Sequence, residues 1–208
     1  MIKNELQNIL SGKSKVKYGE PIQTIACYLR RSSETSTMVE RKEQNKSKET
    51  EKLCQWIEEN NFWIHTIDID KFISQGAEQK VYLHQEEYVI KLNDGIYYLS
   101  WLDYFYNLLL NNYFFPDTAY KLLGFYKDKN VLYAVVQQKF VKANELTSLE
   151  NVREFMANNG FQLIRNNDYK NQELGIILED LHDENVLTVD GVLAFIDTVF
   201  YLEDSFWE

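Results

Sequence analysis

Only two cysteines, Cys27 and Cys54, occur in 208 residues. That excludes a disulfide framework and a cysteine-rich zinc site. No apolar run approaches the ~18 residues that a membrane span needs, and the opening MIKNELQNILSGKSKVKYGE lacks the apolar stretch of a signal peptide. Internal repeats and low-complexity tracts are absent too. Basic charge is the scarcer sign, with 22 Lys and Arg against 32 Asp and Glu, a net charge of −10. The shortage is uneven: residues 1–60 carry 11 basic and 9 acidic side chains, residues 61–208 carry 11 and 23, so the second stretch alone holds −12. Such a surface repels a phosphate backbone and argues against nucleic-acid binding by the main domain. It still allows a nucleotide held through metal ions and a few placed cations. What is present, 45% hydrophobic and 26% charged residues, is an ordinary globular mix. The expectation is a soluble cytoplasmic chain with no membrane partner, forming one compact domain or two small ones.

Hydrophobic spacing predicts a helix over Lys3–Leu10 and leaves Ile22–Leu29 open between helix and strand. Gly12-Lys13-Ser14 has the ending of a phosphate-binding loop, but Gln7 stands where that motif needs its first glycine. The polar run from Ser32 to Glu51, with Thr37 and Glu40 spaced as a capping box, predicts a solvated helix over 34–60. Leu53, Trp56 and Ile57 share its apolar face. From Phe62 the period changes, and FWIHTIDID alternates as a half-buried strand does. Ser74–Gln79, with Gly76, predicts a turn before two strands, KVYLH and EYVIKL. A helix over Tyr97–Asn112 and a hairpin around Lys127–Asn130 follow. Thr147 and Glu150 have capping-box spacing before a helix that ends near Gly160. GIILE is a short strand, and NVLTV and VLAFID flank Asp190-Gly191, a strong hairpin signal. These elements give an α+β chain in two lobes: a mostly helical leader over 1–60, a first lobe over 61–143 and a second over 144–208.

The densest polar cluster is Glu179-Asp180-Leu181-His182-Asp183-Glu184-Asn185, with Asp197 ending the next strand. Like charges ~4 Å apart repel by about 4 kcal/mol at an effective dielectric near 20. Converging carboxylates therefore spread apart, take up protons or bind a cation, and magnesium suits Asp and Asn oxygens. On that reasoning, removing one charge by Asp197→Ala is expected to stabilise the metal-free chain. Taken alone the cluster reads more readily as a solvated acidic loop than as a cation site. Val89-Ile90-Lys91 adds a lysine on an aliphatic strand. Its two readings are a buried ammonium with a partner and an edge lysine whose amine reaches water.

The order of parts is a glycine turn, a strand, V-I-K, a helix, two strands, a helix, D-x4-N, a hairpin and Asp. It resembles a protein-kinase core. "GAEQKVYL…YVIKL" resembles the glycine loop and lysine strand, and "EDLHDENVL…VLAFID" the catalytic stretch of small-molecule phosphotransferases. "LCQWIEENNFW", "IKLND", "NNYFFPDTAYKLLGF" and "DENVLTVDGVLAFIDTV" resemble the kinase-like domain of polyvalent proteins from phages and bacterial mobile elements, over roughly residues 50–202. The resemblance implies a minimal two-lobed kinase fold with ATP and Mg2+ as cofactors. It implies that Lys91 holds the α- and β-phosphates beneath Gly76, Ala77 and Val81. A hinge over Gln137–Val141, with Gln138 and Phe140, would face adenine. Asp180 would take the proton of the attacking hydroxyl, Asn185 and Asp197 would hold magnesium, and His182 would brace the loop.

The departures are specific. Gly76 is the one glycine left in the phosphate turn, and Asp103 is the only acid in the helix after Lys91. Leu178 and Glu179 stand where kinases usually have His and then Arg or Gly, and 11 residues follow Asp197. The expectation is a truncated C-lobe without the usual platform for a protein substrate. Two functions follow: a phosphotransferase acting on a hydroxyl of a protein or small molecule, or a catalytically silent binding module that grips nucleotide. A plain acidic docking protein is the third, outside the kinase reading.

Overall fold

A computed structural model describes residues 1–33, 42–76 and 79–208. Its helices are α1 (Ile2–Leu10), α2 (Gly19–Ser33), α3 (Lys42–Glu59), α4 (Trp101–Phe114) and α5 (Leu149–Asn158). The strands of the larger sheet are β1 (Phe72–Gln75), β2 (Gln79–His84), β3 (Tyr88–Asn93), β4 (Lys121–Asp128) and β5 (Val131–Lys139), ordered β1-β2-β3-β5-β4 and antiparallel throughout. Then come β6 (Gln162–Arg165), β7 (Asp168–Asn171), β8 (Ile176–Glu179), β9 (Val186–Val189), β10 (Val192–Phe195) and β11 (Val199–Leu202). They form a second sheet, β11-β8-β7-β6, and the separate β9-β10 hairpin. The expected α+β class is the one the chain adopts. No helix among the described residues is long and apolar enough to cross a membrane.

The open reading of Ile22–Leu29 resolves as helix, because Ile22, Ile25, Ala26 and Leu29 fall on one face and are all buried. That face, with Leu6, Ile9 and Leu10 of α1 and Leu53 and Ile57 of α3, joins Trp101, Phe105 and Leu109 of α4 in one core. Helix α4 is therefore the central strut: leader helices cover one side, and the large sheet and β11 the others. The sheet's opposite face carries a small second cluster of Tyr82, Ile90, Leu92, Tyr133 and Val135.

Several expectations are corrected. FWIHTIDID is not a strand. Trp63 makes a single parallel bridge to Phe125, and a one-turn helix occupies Ile69–Lys71. Ser74 and Gln75 belong to β1 rather than to a turn. Helix α4 starts at Trp101, not Tyr97, because Ser100 caps it by accepting from the Asp103 N–H. The cap of α5 is Ser148, whose Oγ accepts from the Asn151 N–H, whereas the Thr147 hydroxyl pairs with that of Thr188. The Asp190-Gly191 turn forms as expected, both residues at positive φ. The Thr37–Glu40 capping box lies outside the described residues.

Candidate active site

In the register of the large sheet, Val81 on β2 and Val136 on β5 stand opposite Lys91. The three side chains share one face. Lys91 is 4% exposed, which excludes the edge-lysine reading. A buried ammonium needs acceptors, and this one has two. Its Nζ donates to the Ile196 carbonyl at 2.9 Å and lies 3.5 Å from Asp197 Oδ2. The Tyr120 ring sits 5.5 Å from the same Nζ, and its hydroxyl donates to the same Ile196 carbonyl. Asp103 takes no part in this: its carboxylate accepts from Ser100 Oγ at the start of α4.

The hairpin aligns the next pair. Val186 stands opposite Phe195, and the Ile196 N–H donates to the Asn185 carbonyl at 2.9 Å, so Asn185 and Asp197 lie together at the hairpin's mouth. The Asn185 Nδ2 donates to the Asp180 carbonyl at 2.9 Å, which leaves its Oδ1 free to meet a cation. Asp180 is a non-glycine residue at φ 70°, a conformation that persists only where neighbours impose it. Here the β6–β7 hairpin imposes it: Asp168 Oδ1 accepts from the Asp180 N–H at 3.2 Å, and the Asn167 carbonyl accepts from Leu181 N–H at 3.1 Å. The Asp180 side chain is 63% exposed, and its Oδ1 lies 3.8 Å from His182 Nε2. His182 Nδ1 accepts from the Glu184 N–H, bracing the loop. Burial and the adjacent Asp168 carboxylate push the Glu179 pKa up, against the Arg165 guanidinium 3.7 Å away.

Gly76, Asp180, Asn185 and Asp197 line one cleft of about 700 Å³ together with Gln79 and Tyr97. Lys91 lies behind Asp197, and Val81 shares its sheet face. Gln138 and Phe140 are not brought there. The Gln138 side chain is buried and donates to the Thr118 carbonyl, and the Phe140 N–H donates to the Glu87 carbonyl. Both line a separate depression beside Lys17 and Tyr18. Ala77 lies outside the described residues. Sequence reasoning missed Gln79, whose Nε2 donates to Asp197 Oδ2, and Asp168. Neither belongs to a spaced motif; only the hairpins bring them in.

Among the described residues no group of three or more His, Cys, Asp or Glu makes a ready-built metal site. Two oxygen donors, Asn185 Oδ1 and the Asp197 carboxylate, do fit magnesium, which takes one or two protein ligands and completes its shell with water and phosphate.

A buried strand lysine held against an aspartate that closes a β-hairpin, with Asn and Asp on the preceding loop, is the arrangement of a kinase-like protein. Residues 46–204 match the family model described as Serine/Threonine/Tyrosine Kinase found in polyvalent proteins, and the chain belongs to that family. No curated protein and no solved structure matches it.

Proposed function

We propose that the chain is a minimal two-lobed kinase, cytoplasmic, with lobes over 61–143 and 144–208. It moves the γ-phosphoryl group of ATP, with magnesium, to a hydroxyl on a protein or small molecule. The observation that carries this reading is the 3.5 Å approach of the buried Lys91 ammonium to Asp197 at the wall of the cleft that Asp180 and Asn185 share. When bound, ATP would supply the phosphoryl group, and magnesium the positive charge that offsets both its phosphates and the cleft's carboxylates. Lys91 would orient phosphate oxygens, and Gly76, on the cleft's lining, would face them. Asn185 and Asp197 present oxygens to the cation. Asp180, on a loop fixed by Asp168 and Asn185, would accept the proton of the attacking hydroxyl as that oxygen bonds to phosphorus and the bond to the leaving ADP breaks.

A second reading, a silent binding module, has its own support. The Phe140 N–H is already spent on Glu87, and Lys91 lies behind Asp197 rather than on the cleft's lining.

A thermal-shift titration followed by a search for transferred phosphate separates the two. Mg-ATP at a hundredfold excess over its dissociation constant should stabilise the protein by about 2.7 kcal/mol. Asp180→Asn suits the positive φ of that position and should keep the shift while abolishing transfer. A wild-type shift without transfer to protein, small molecule or water makes the binding module the better account. No shift at millimolar Mg-ATP rejects both.

A further inference from the structure

A second cleft, of about 910 Å³, opens between the α1–α2 loop, α2, α3 and β4. Its wall is prebuilt. Gln23 Nε2 donates to the carbonyls of Ile9 and Ser14 at 2.8 and 2.7 Å, pinning the loop. The Lys17 amine donates to the Pro116 carbonyl, and the Lys17 carbonyl accepts from Asn112. Gly12 turns the loop at φ 74°, where a Cβ would press on Cys27 Sγ at 3.0 Å.

Lys13 and Lys15 from the loop, Arg31 from α2 and Lys121 from β4 line this cleft, against one acid, Glu20. None of the four cations has an ion-pair partner among the described residues. In a chain of net charge −10, four cations from three elements around one concavity, with no ion-pair partner among the described residues, focus a positive field that attracts an anion. Tyr18, Tyr28 and Trp56 line the same cleft and offer flat apolar surface. The volume suits a small molecule.

We propose that this cleft is a second ligand site, for a phosphate ester carrying a flat ring, of nucleoside-monophosphate chemistry. It stands apart from the candidate active site. Three of its four cations precede residue 46, where the family match begins. It is not a phosphate-binding loop, since cations from a loop, a helix and a strand take the place of a glycine-rich cradle.

Trp56 makes the test direct. The full chain is titrated without metal, in chelator, with AMP, adenosine and pyrophosphate, following tryptophan fluorescence and heat. The expected result is saturable AMP binding that changes the fluorescence, with adenosine and pyrophosphate each at least tenfold weaker. Trp56→Phe should lose most of the optical change and keep the heat. Arg31→Glu with Lys121→Glu should weaken AMP at least tenfold at an unchanged melting temperature. Lys13→Glu with Lys15→Glu repeats that test on the loop, leaving α2 and β4 intact. The proposal is overturned by no AMP binding at millimolar concentration, by affinity that survives both charge reversals, or by pyrophosphate binding as tightly as AMP.

Discussion

Asp197 shows how far a residue's role could be read before its neighbours were known. Spacing from Asn185 singled it out, and reasoning on carboxylates alone expected its removal to relieve repulsion. The structure reverses that sign. Asp197 lies against a buried ammonium and accepts from Gln79, so Asp197→Ala leaves Lys91 with only a carbonyl and a ring. We expect a loss of about 1–3 kcal/mol, less than for a fully buried pair because Asp197 is partly exposed. Urea unfolding of the metal-free protein measures it, and an unchanged or raised midpoint would refute the pairing. Glu49 makes a different case, since nothing in its spacing marked it. Its carboxylate accepts from the Trp101 and Leu102 N–H groups at the start of α4, yet burial pushes its pKa from 4.5 up to about 7. Between those values the folded chain binds a proton that the unfolded chain has released. The contribution to stability is therefore full below pH 4.5 and falls as pH rises towards 7, by up to about 1.4 kcal/mol per pH unit. Unfolding midpoints across pH 4.5–8 should show this fall in wild type and a flatter profile in Glu49→Gln. Identical slopes would remove Glu49 from the account.

Elements were legible where period and turn chemistry agreed. The strands flanking Lys91 and the hairpin around Lys129 formed as short apolar runs bounded by polar turns, and the Asp190-Gly191 hairpin because its turn residues suit positive φ. Strand β6 was invisible because all four of its residues are exposed, so no alternation marks it. Strand β11 was hidden because its four residues are held by pairing with β8, by the Phe200 N–H donated to Asn107 and by packing of Phe200 into the core, none of which shows in its spacing. The alternating FWIHTIDID misled for a local reason. It joins β4 only where the register shifts between Leu122 and Gly124. There the Ile64 N–H donates to the Phe125 carbonyl and the Phe125 N–H to the Phe62 carbonyl. Gly124 permits the approach: it sits at φ 153°, and a Cβ would lie 2.6 Å from the Phe62 carbonyl oxygen. Gly124→Ala should cost about 2–3 kcal/mol, combining steric overlap and backbone strain. A midpoint within experimental error of wild type would show that the 62–64 segment is free to move aside.

At the scale of the molecule, the leader is part of the same core as the family's elements rather than a tail beside them. The family match starts inside α3, but Leu6, Ile9, Leu10, Ile22, Ile25 and Leu29 are buried against α4. Each such side chain contributes about 1.5–3 kcal/mol by leaving water. The two ends of the chain also meet, since Lys3 Nζ and Gln7 Nε2 donate to the Ser205 and Phe206 carbonyls. Phe206 is itself fully buried, so α1 closes the packing around the final turn. These contacts bear on the site through α4, which accepts from Thr198 Oγ1 and Phe200 N–H through Asn111 and Asn107, just after Asp197. Stripping the leader would bare the apolar face of α4 and loosen the element that holds the strand behind the candidate metal position. We therefore expect a chain lacking residues 1–33 to lose its cooperative thermal transition or to aggregate. Removing residues 1–10 alone should lower the melting temperature and speed amide exchange in α4 and β11 before it affects β2 and β3. If the shorter chains melt as the whole one does, with α4 equally protected, the leader is an independent appendage and α4 stands without it.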